Sequence, residues 1–335
     1  MRKFVAWLFA LTLGWSAVAS AEARLEIGYM PIIPVAQSFL ILEGDALARA
    51  GVTDVDTVQF QNGPAMVQAL LAGQLDVAFV GIGPAMVARA KGADVKVVAS
   101  NIVEQISILA LGELAPYFER GDAATAFARF AEDQGRKPVL STFPRGSVPE
   151  TVLQYWLREQ LGVAPDSVEI IYQGAAQVQQ SLMTGAVDGA AILEPVVSVV
   201  TERMPAARVV VSGAALFPDQ PGAVLLVRER LIEQQPELVR ALVAAHVEAT
   251  ETLREQPAEA APVVGRYVGG GRLPVAIVER AIRNSRENFR ADPNSIIEGT
   301  RRMRDFQAEL GTLKVDVDLE ALFDTRFYDE LAGAR

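Results

Sequence analysis

One pattern occurs twice in this chain, and it limits the fold more than any other feature. Leu70, Ala72, Gly73, Asp76 and Ala78 stand in GPAMVQALLAGQLDVAFVGIGP, and Leu182, Thr184, Gly185, Asp188 and Ala190 stand in GAAQVQQSLMTGAVDGAAILEP. Each copy predicts a helix stopped by glycine, a short turn holding an aspartate, an apolar strand and a proline-bearing loop. A strand ending near Phe60 precedes the first copy, and one ending near Tyr172 precedes the second. Two matching α/β units imply two similar lobes. Ligands bind at the C-terminal strand ends of open α/β sheets, so two such edges face to face make a cleft.

The first residues, MRKFVAWLFALTLGWSAVASAEA, read as an export signal and not as part of the fold. Arg2 and Lys3 form a basic start, Phe4 to Trp15 an apolar run, and Ala19-Ser20-Ala21 and Ala21-Glu22-Ala23 offer cleavage sites. The expected signal is 1–21, with cleavage after Ala21 or Ala23. No later segment reaches the ~20 continuous apolar residues that span a bilayer. The chain has 335 residues, half of them hydrophobic, enough for two ordinary domains after the signal. It has no cysteine, which excludes disulfides, a thiol nucleophile, a cysteine-ligated metal and a lipid-anchored start. One histidine cannot build a metal triad, and no cofactor is called for. A net charge of −10 argues against nucleic acid as a partner but not against a small anion, which local dipoles can hold.

Alternation of strands and helices predicts a parallel, doubly wound first lobe, with strands from Leu25, Val55, Asp76 and Val95 and one helix from Val35 to Ala50. The chain then crosses through Ile106–Leu111 into a second lobe and returns through Arg208–Ser212 and Val224–Val227. From Glu229 onward it reads as almost wholly helical. The expected division is 24–107 with 213–335 for the first lobe and 108–212 for an inserted second lobe, joined by two crossing strands.

With these elements in place, the chain resembles a known family. GYMPIIPVAQSF, the NGP-M-QAL-AG-LDVA-VG-GP run, the Gly146-Ser147 loop and Glu194-Pro195 are similar to the periplasmic solute-binding proteins of ABC importers, in their nitrate, sulfonate and taurine group. The resemblance spans the mature chain. It implies a type II periplasmic binding fold, clamshell closure over one small organic anion or zwitterion, a monomer, and delivery to an inner-membrane ABC permease. A periplasmic sensor, or a binder of nitrate, a carboxylate or an aromatic acid, is the alternative. Enzymes that make a thiamin pyrimidine precursor look similar in outline, but this chain lacks their cysteine-rich motif.

Four strand-end loops that begin helices, Met30–Gln37, Gln61–Pro64, Gly81–Pro84 and Phe143–Ser147, are expected to face the ligand. Gln61, Asn62 and Gly63 offer amides and close backbone approach, as do Gly83 and Pro84. Arg145 could grip a sulfonate or carboxylate with two parallel hydrogen bonds, with Gly146 and Ser147 beside it. It could equally point into solvent, and Ser147 could simply cap a helix. Glu194 could meet an ammonium group or cap a helix. Thr142, Gln173 and Gln37 are further candidate contacts, with Gln177, Tyr29, Tyr172, Asn101 and Glu104 nearby in pattern. Asp76, Asp188 and Trp156 read as structural, and His246 as a helix-surface or packing residue.

Overall fold

The computed structural model of the protein describes residues 24–334 except residue 165; the expected signal lies outside the described residues. Two five-stranded sheets organise them. The first takes β1 (Arg24–Tyr29), β2 (Asp54–Gln59), β3 (Val77–Gly81), β4 (Val95–Ser100) and the late β10 (Ala223–Arg228). The second takes β5 (Ser107–Ala110), β6 (Val139–Thr142), β7 (Glu169–Tyr172), β8 (Gly189–Ile192) and β9 (Arg208–Ser212).

The strand orders are β2-β1-β3-β10-β4 and β7-β6-β8-β5-β9, so the two sheets are built alike. Neither sheet is wholly parallel. β10 runs antiparallel to β3 and β4, and β5 antiparallel to β8 and β9. The reason is connectivity: each of these strands enters straight from the other sheet, without the helical crossover that parallel pairing requires. Ser107 already pairs with Ile192 and Ser212, so the second sheet starts one residue before the expected boundary. Central strands such as β3 and β10 are continuous apolar runs buried on both faces, while the edge strand β2, DVDTVQ, is largely exposed.

Both copies of the repeat end their helices the same way. Gly73 and Gly185 adopt left-handed φ angles of 74° and 68°, a conformation that only glycine takes without Cβ strain. The repeated aspartates then bind the neighbouring strand. Asp76 Oδ2 accepts from the Glu26 amide of β1 at 3.1 Å, and Asp188 Oδ2 accepts from the Val139 amide of β6 at 2.8 Å. An arginine completes each: Arg230 donates to Asp76 at 2.7 Å, and Arg136 to both oxygens of Asp188 at 2.6 and 2.7 Å. The copies are therefore alike at side-chain level.

One helix differs from the sequence expectation, and another ends in an irregular turn. The segment expected as one helix from Val35 to Ala50 is split into Ala36–Glu43 and Ala46–Arg49, because Gly44 takes an extended backbone. The helix beginning at Val148 ends at Tyr155 and passes into a π-turn, Trp156–Gln160, with Trp156 packed among Phe118 and Phe127. The two sheets are joined by residues 101–106 and 213–222, which pair with each other at Val103 and Pro221. Among the described residues, the two non-glycine positions with positive φ, Glu104 and Asp219, lie one on each crossing, and the Asp219 amide donates to Glu104 Oε1 at 2.9 Å.

Candidate functional site

The C-terminal ends of β1, β2 and β3 face those of β6, β7 and β8, and each of these strands leads into a helical segment. Two spaces lie between the edges. The inner one is lined by Met30, Gly63, Gly81 and Ala223 from the first half, and by Phe143, Ser147 and Leu193 from the second. Its volume is only about 20 Å³, room for about one water molecule. Gln105, on the first crossing, reaches this space, and its buried Oε1 has no hydrogen-bond partner. The outer space measures about 360 Å³ and shares Ile32 with the inner one. That volume lies in the range of small-molecule sites, roughly 300–1,000 Å³. A larger surface groove near Lys96 and Glu229 opens at the opposite ends of β4 and β10, away from both spaces.

Of the residues expected at the site, Gln61 lines the outer space, while Gly63, Pro84 and Ser147 line the inner one. The Asn62 side chain is used as a helix cap, accepting from the Ala65 amide at 2.9 Å. Ser147 caps the Val148–Tyr155 helix, with its hydroxyl 3.4 Å from the Glu150 amide. Glu150 reaches back to the Gly146 amide at 3.1 Å, close to the reciprocal pattern of a capping box. Burial holds the Glu150 carboxyl above its ordinary pKa.

Other expected contacts are spent elsewhere. Gln37 is fully buried, donating to the Asn101 carbonyl at 2.8 Å and to Thr250 at 3.2 Å, because its helix faces the C-terminal helices. The Thr142 hydroxyl donates to the Ala191 carbonyl of β8 at 3.1 Å, inside the sheet. Gln173 Oε1 accepts from Ser141 and Ser181 at 2.8 and 2.9 Å. Gly83 supports the contact between the halves: a Cβ there would lie 2.8 Å from the Gly146 carbonyl oxygen and 2.7 Å from the Gln307 amide.

Arg145 is exposed, its guanidinium 5.2 Å from the Tyr172 ring centre, and it lines a separate groove with Lys91, Gly146 and Thr312. A cation–π contact at an exposed site contributes about 0.5–1 kcal/mol. The loop turns Arg145 outward because Gly146, at φ 82°, redirects the chain into the following helix. Glu194 also faces away from both spaces. Its carboxylate accepts from the Ser198 amide and hydroxyl, each at 2.9 Å, and from Asn284 at 2.8 Å. Asn284 belongs to the helix Val275–Ser285, and the carboxylate thereby ties that helix to Val196–Arg203 beside the second sheet. Burial raises the Glu194 pKa, opposed by these hydrogen bonds.

His246 is wholly buried, not on the helix surface. Its Nε2 meets the Ser100 carbonyl at 2.7 Å, which makes Nε2 the protonated nitrogen, and burial lowers its pKa to about 4.

Four polar side chains escaped the reading from sequence: Gln105 at the inner space, and Gln59, Gln179 and Arg272 at the outer one. Gly269-Gly270-Gly271 before Arg272 was the available signal, since three glycines interrupt a helical pattern.

Sequence and structure comparisons agree with this geometry. The chain matches the NMT1-like family over residues 19–267. A Brucella abortus (strain 2308) protein named as a binding protein is 26% identical over 269 residues, covering 80% of this chain and 78% of the relative. The alkanesulfonate-binding protein of Xanthomonas axonopodis pv. citri, solved bound to MOPS, superposes with a TM-score of 0.73 at 21% identity, over 90% of this chain and 98% of the other. The periplasmic nitrate-binding protein of Synechocystis PCC 6803 gives 0.74 at 17% identity, over 93% and 88%. The chain belongs to the NMT1-like family, and its two-sheet α/β fold is that of the periplasmic binding proteins of ABC importers.

Proposed function

We propose that the protein is the solute-binding component of an ABC importer, exported to the periplasm, where it encloses one small molecule between its two sheets and presents it to a permease. The observation that carries this reading is the pair of matched strand-end edges enclosing a ligand-sized space, with two crossings between the halves among the described residues. Each sheet with its helices acts as one lobe, and residues 101–106 and 213–222 form the hinge. The contacts of Gly83 with Gly146 and of Glu194 with Asn284 belong to the closed arrangement. A ligand bound to both lobes stabilises that arrangement by its differential affinity for it.

The inner space is too small for any solute beyond water while the lobes are this close, so entry requires them to part. The solute is a small organic anion such as a sulfonate, as the names of the relatives suggest. The sole histidine is buried against a backbone carbonyl and is not among the residues lining either space, so it supplies no general base there. That geometry favours a carrier over an enzyme.

A thermal-shift panel of alkanesulfonates, taurine, nitrate, carboxylates and uncharged sulfones and amides tests the reading. A true solute at ~100 times its dissociation constant should add about 2.7 kcal/mol of stability. A panel without a single stabilising member overturns the proposal.

A further inference from the structure

Resting on that reading, we infer that the outer space is a recognition subsite for an oxyanion head group and that Arg272 is its charged binding residue. Arg272 is the single charged side chain lining the space, and its guanidinium makes no ion pair or side-chain hydrogen bond among the described residues. Among the described residues most arginines pair with a carboxylate, whereas Arg272, solvent-exposed at the wall of the 360 Å³ space, keeps its donors free for an anion. The guanidinium lies over Gly270, where a Cβ would stand 3.6 Å from one of its nitrogens. The preceding Tyr267 fixes the loop to the first lobe. Its ring stacks on Phe39 at 4.5 Å, and its hydroxyl donates to Glu43 at 2.8 Å.

The opposite wall complements a negative charge. Ala175 and Ala176 open the ten-residue helix Ala175–Thr184, whose cap position is Gly174 and which has no side-chain cap. Its first amides and dipole therefore face the same space as Arg272. Gln61 and Gln179 add amide donors from the two lobes, and the lining holds no acidic side chain. An oxyanion placed here is gripped by a cation from the first lobe and a helix start from the second, so its binding favours closure.

The test is isothermal titration calorimetry of the mature protein and of Arg272→Ala, Arg272→Lys and Arg145→Ala. The probes are ethanesulfonate, acetate, nitrate and inorganic phosphate, with ethyl methyl sulfone as an uncharged counterpart. The expected result is that at least one anion binds and the sulfone does not. Arg272→Ala should weaken that anion by about tenfold or more, the scale of one charge-assisted contact, and Arg272→Lys by less. Affinity should fall with added salt, and Arg145→Ala should match the wild type. Unchanged affinity in Arg272→Ala, with a wild-type circular dichroism spectrum, overturns the inference and leaves the carrier intact. Binding of the sulfone alone does the same. Failure of every anion up to millimolar concentrations also overturns it, and the wider panel above then decides whether the carrier reading falls with it.

Discussion

The two copies of the repeat begin their helices differently. The first copy caps its helix with its own Asn62, whose side chain consumes the Ala65 amide. The second has Gly174 at that position, with no side chain to consume anything. The copies match in their left-handed glycines and in the aspartates that hold β1 and β6. One helix start has thus been closed off as structure, while its counterpart opens onto the outer space opposite Arg272. In the proposed function, this departure from symmetry is where an anion would be received.

The largest expected effect concerns a feature present in one half alone. His246 is buried neutral under β4, and the second sheet has no counterpart because the chain holds a single histidine. Its pKa falls from 6.5 to about 4 on folding, so the unfolded chain takes up the proton first. Stability is therefore lost as pH falls from 6.5 toward about 4, by about 3 kcal/mol in total. His246→Gln, followed by urea unfolding across that range, should remove most of this pH dependence. An unchanged pH profile would mean that the acid response does not distinguish the halves.

A smaller effect tests the likeness of the copies. Asp76→Ala and Asp188→Ala each leave a strand amide without its acceptor and an arginine without its partner. Both arginines are half-exposed, so water replaces part of what is lost. Each substitution should cost about 2 kcal/mol, and the two costs should agree closely. A large cost in one copy and none in the other would break the equivalence.

The smallest effect bears on the difference itself. Asn62→Ala should cost about 1 kcal/mol through loss of a cap. Gly174→Asn should gain a few tenths of a kcal/mol in stability while weakening any anion bound at the outer space, because the new side chain competes for the same amides. The flexible Gln177 side chain, whose Oε1 would stand 2.7 Å from the new Cβ, must move aside to admit it. Chemical denaturation and calorimetry on the same pair of variants separate the two effects. Gly174→Asn with full anion affinity would show that the open helix start takes no part in binding.

Much of the fold was legible because it is written in local chemistry. The strands at Val95–Ser100 and Arg208–Ser212 form where their apolar runs require. The antiparallel direction of β5 and β10 was not legible, since periodicity reports burial and not direction. At the site, the loops were legible and the side-chain directions were not. Arg145 and Glu194 have the right chemistry at strand ends, but one stacks on Tyr172 in another groove and the other serves Ser198 and Asn284. Gln37 was drawn into the core by Asn101 and Thr250, residues distant in sequence.

The sequence by itself determined two α/β units, their helix stops, their matched aspartates and the edge at which a ligand would sit. These depend on neighbours within a few residues or on one repeated spacing. Tertiary structure alone decided which groups face the cleft. Arg272 lines it from a loop about eighty residues beyond the end of the second copy, while nearer candidates are consumed by partners that only folding supplies. Local free energies fix where helices and strands begin, but a side chain's direction is set by competition among all the partners the fold brings within reach.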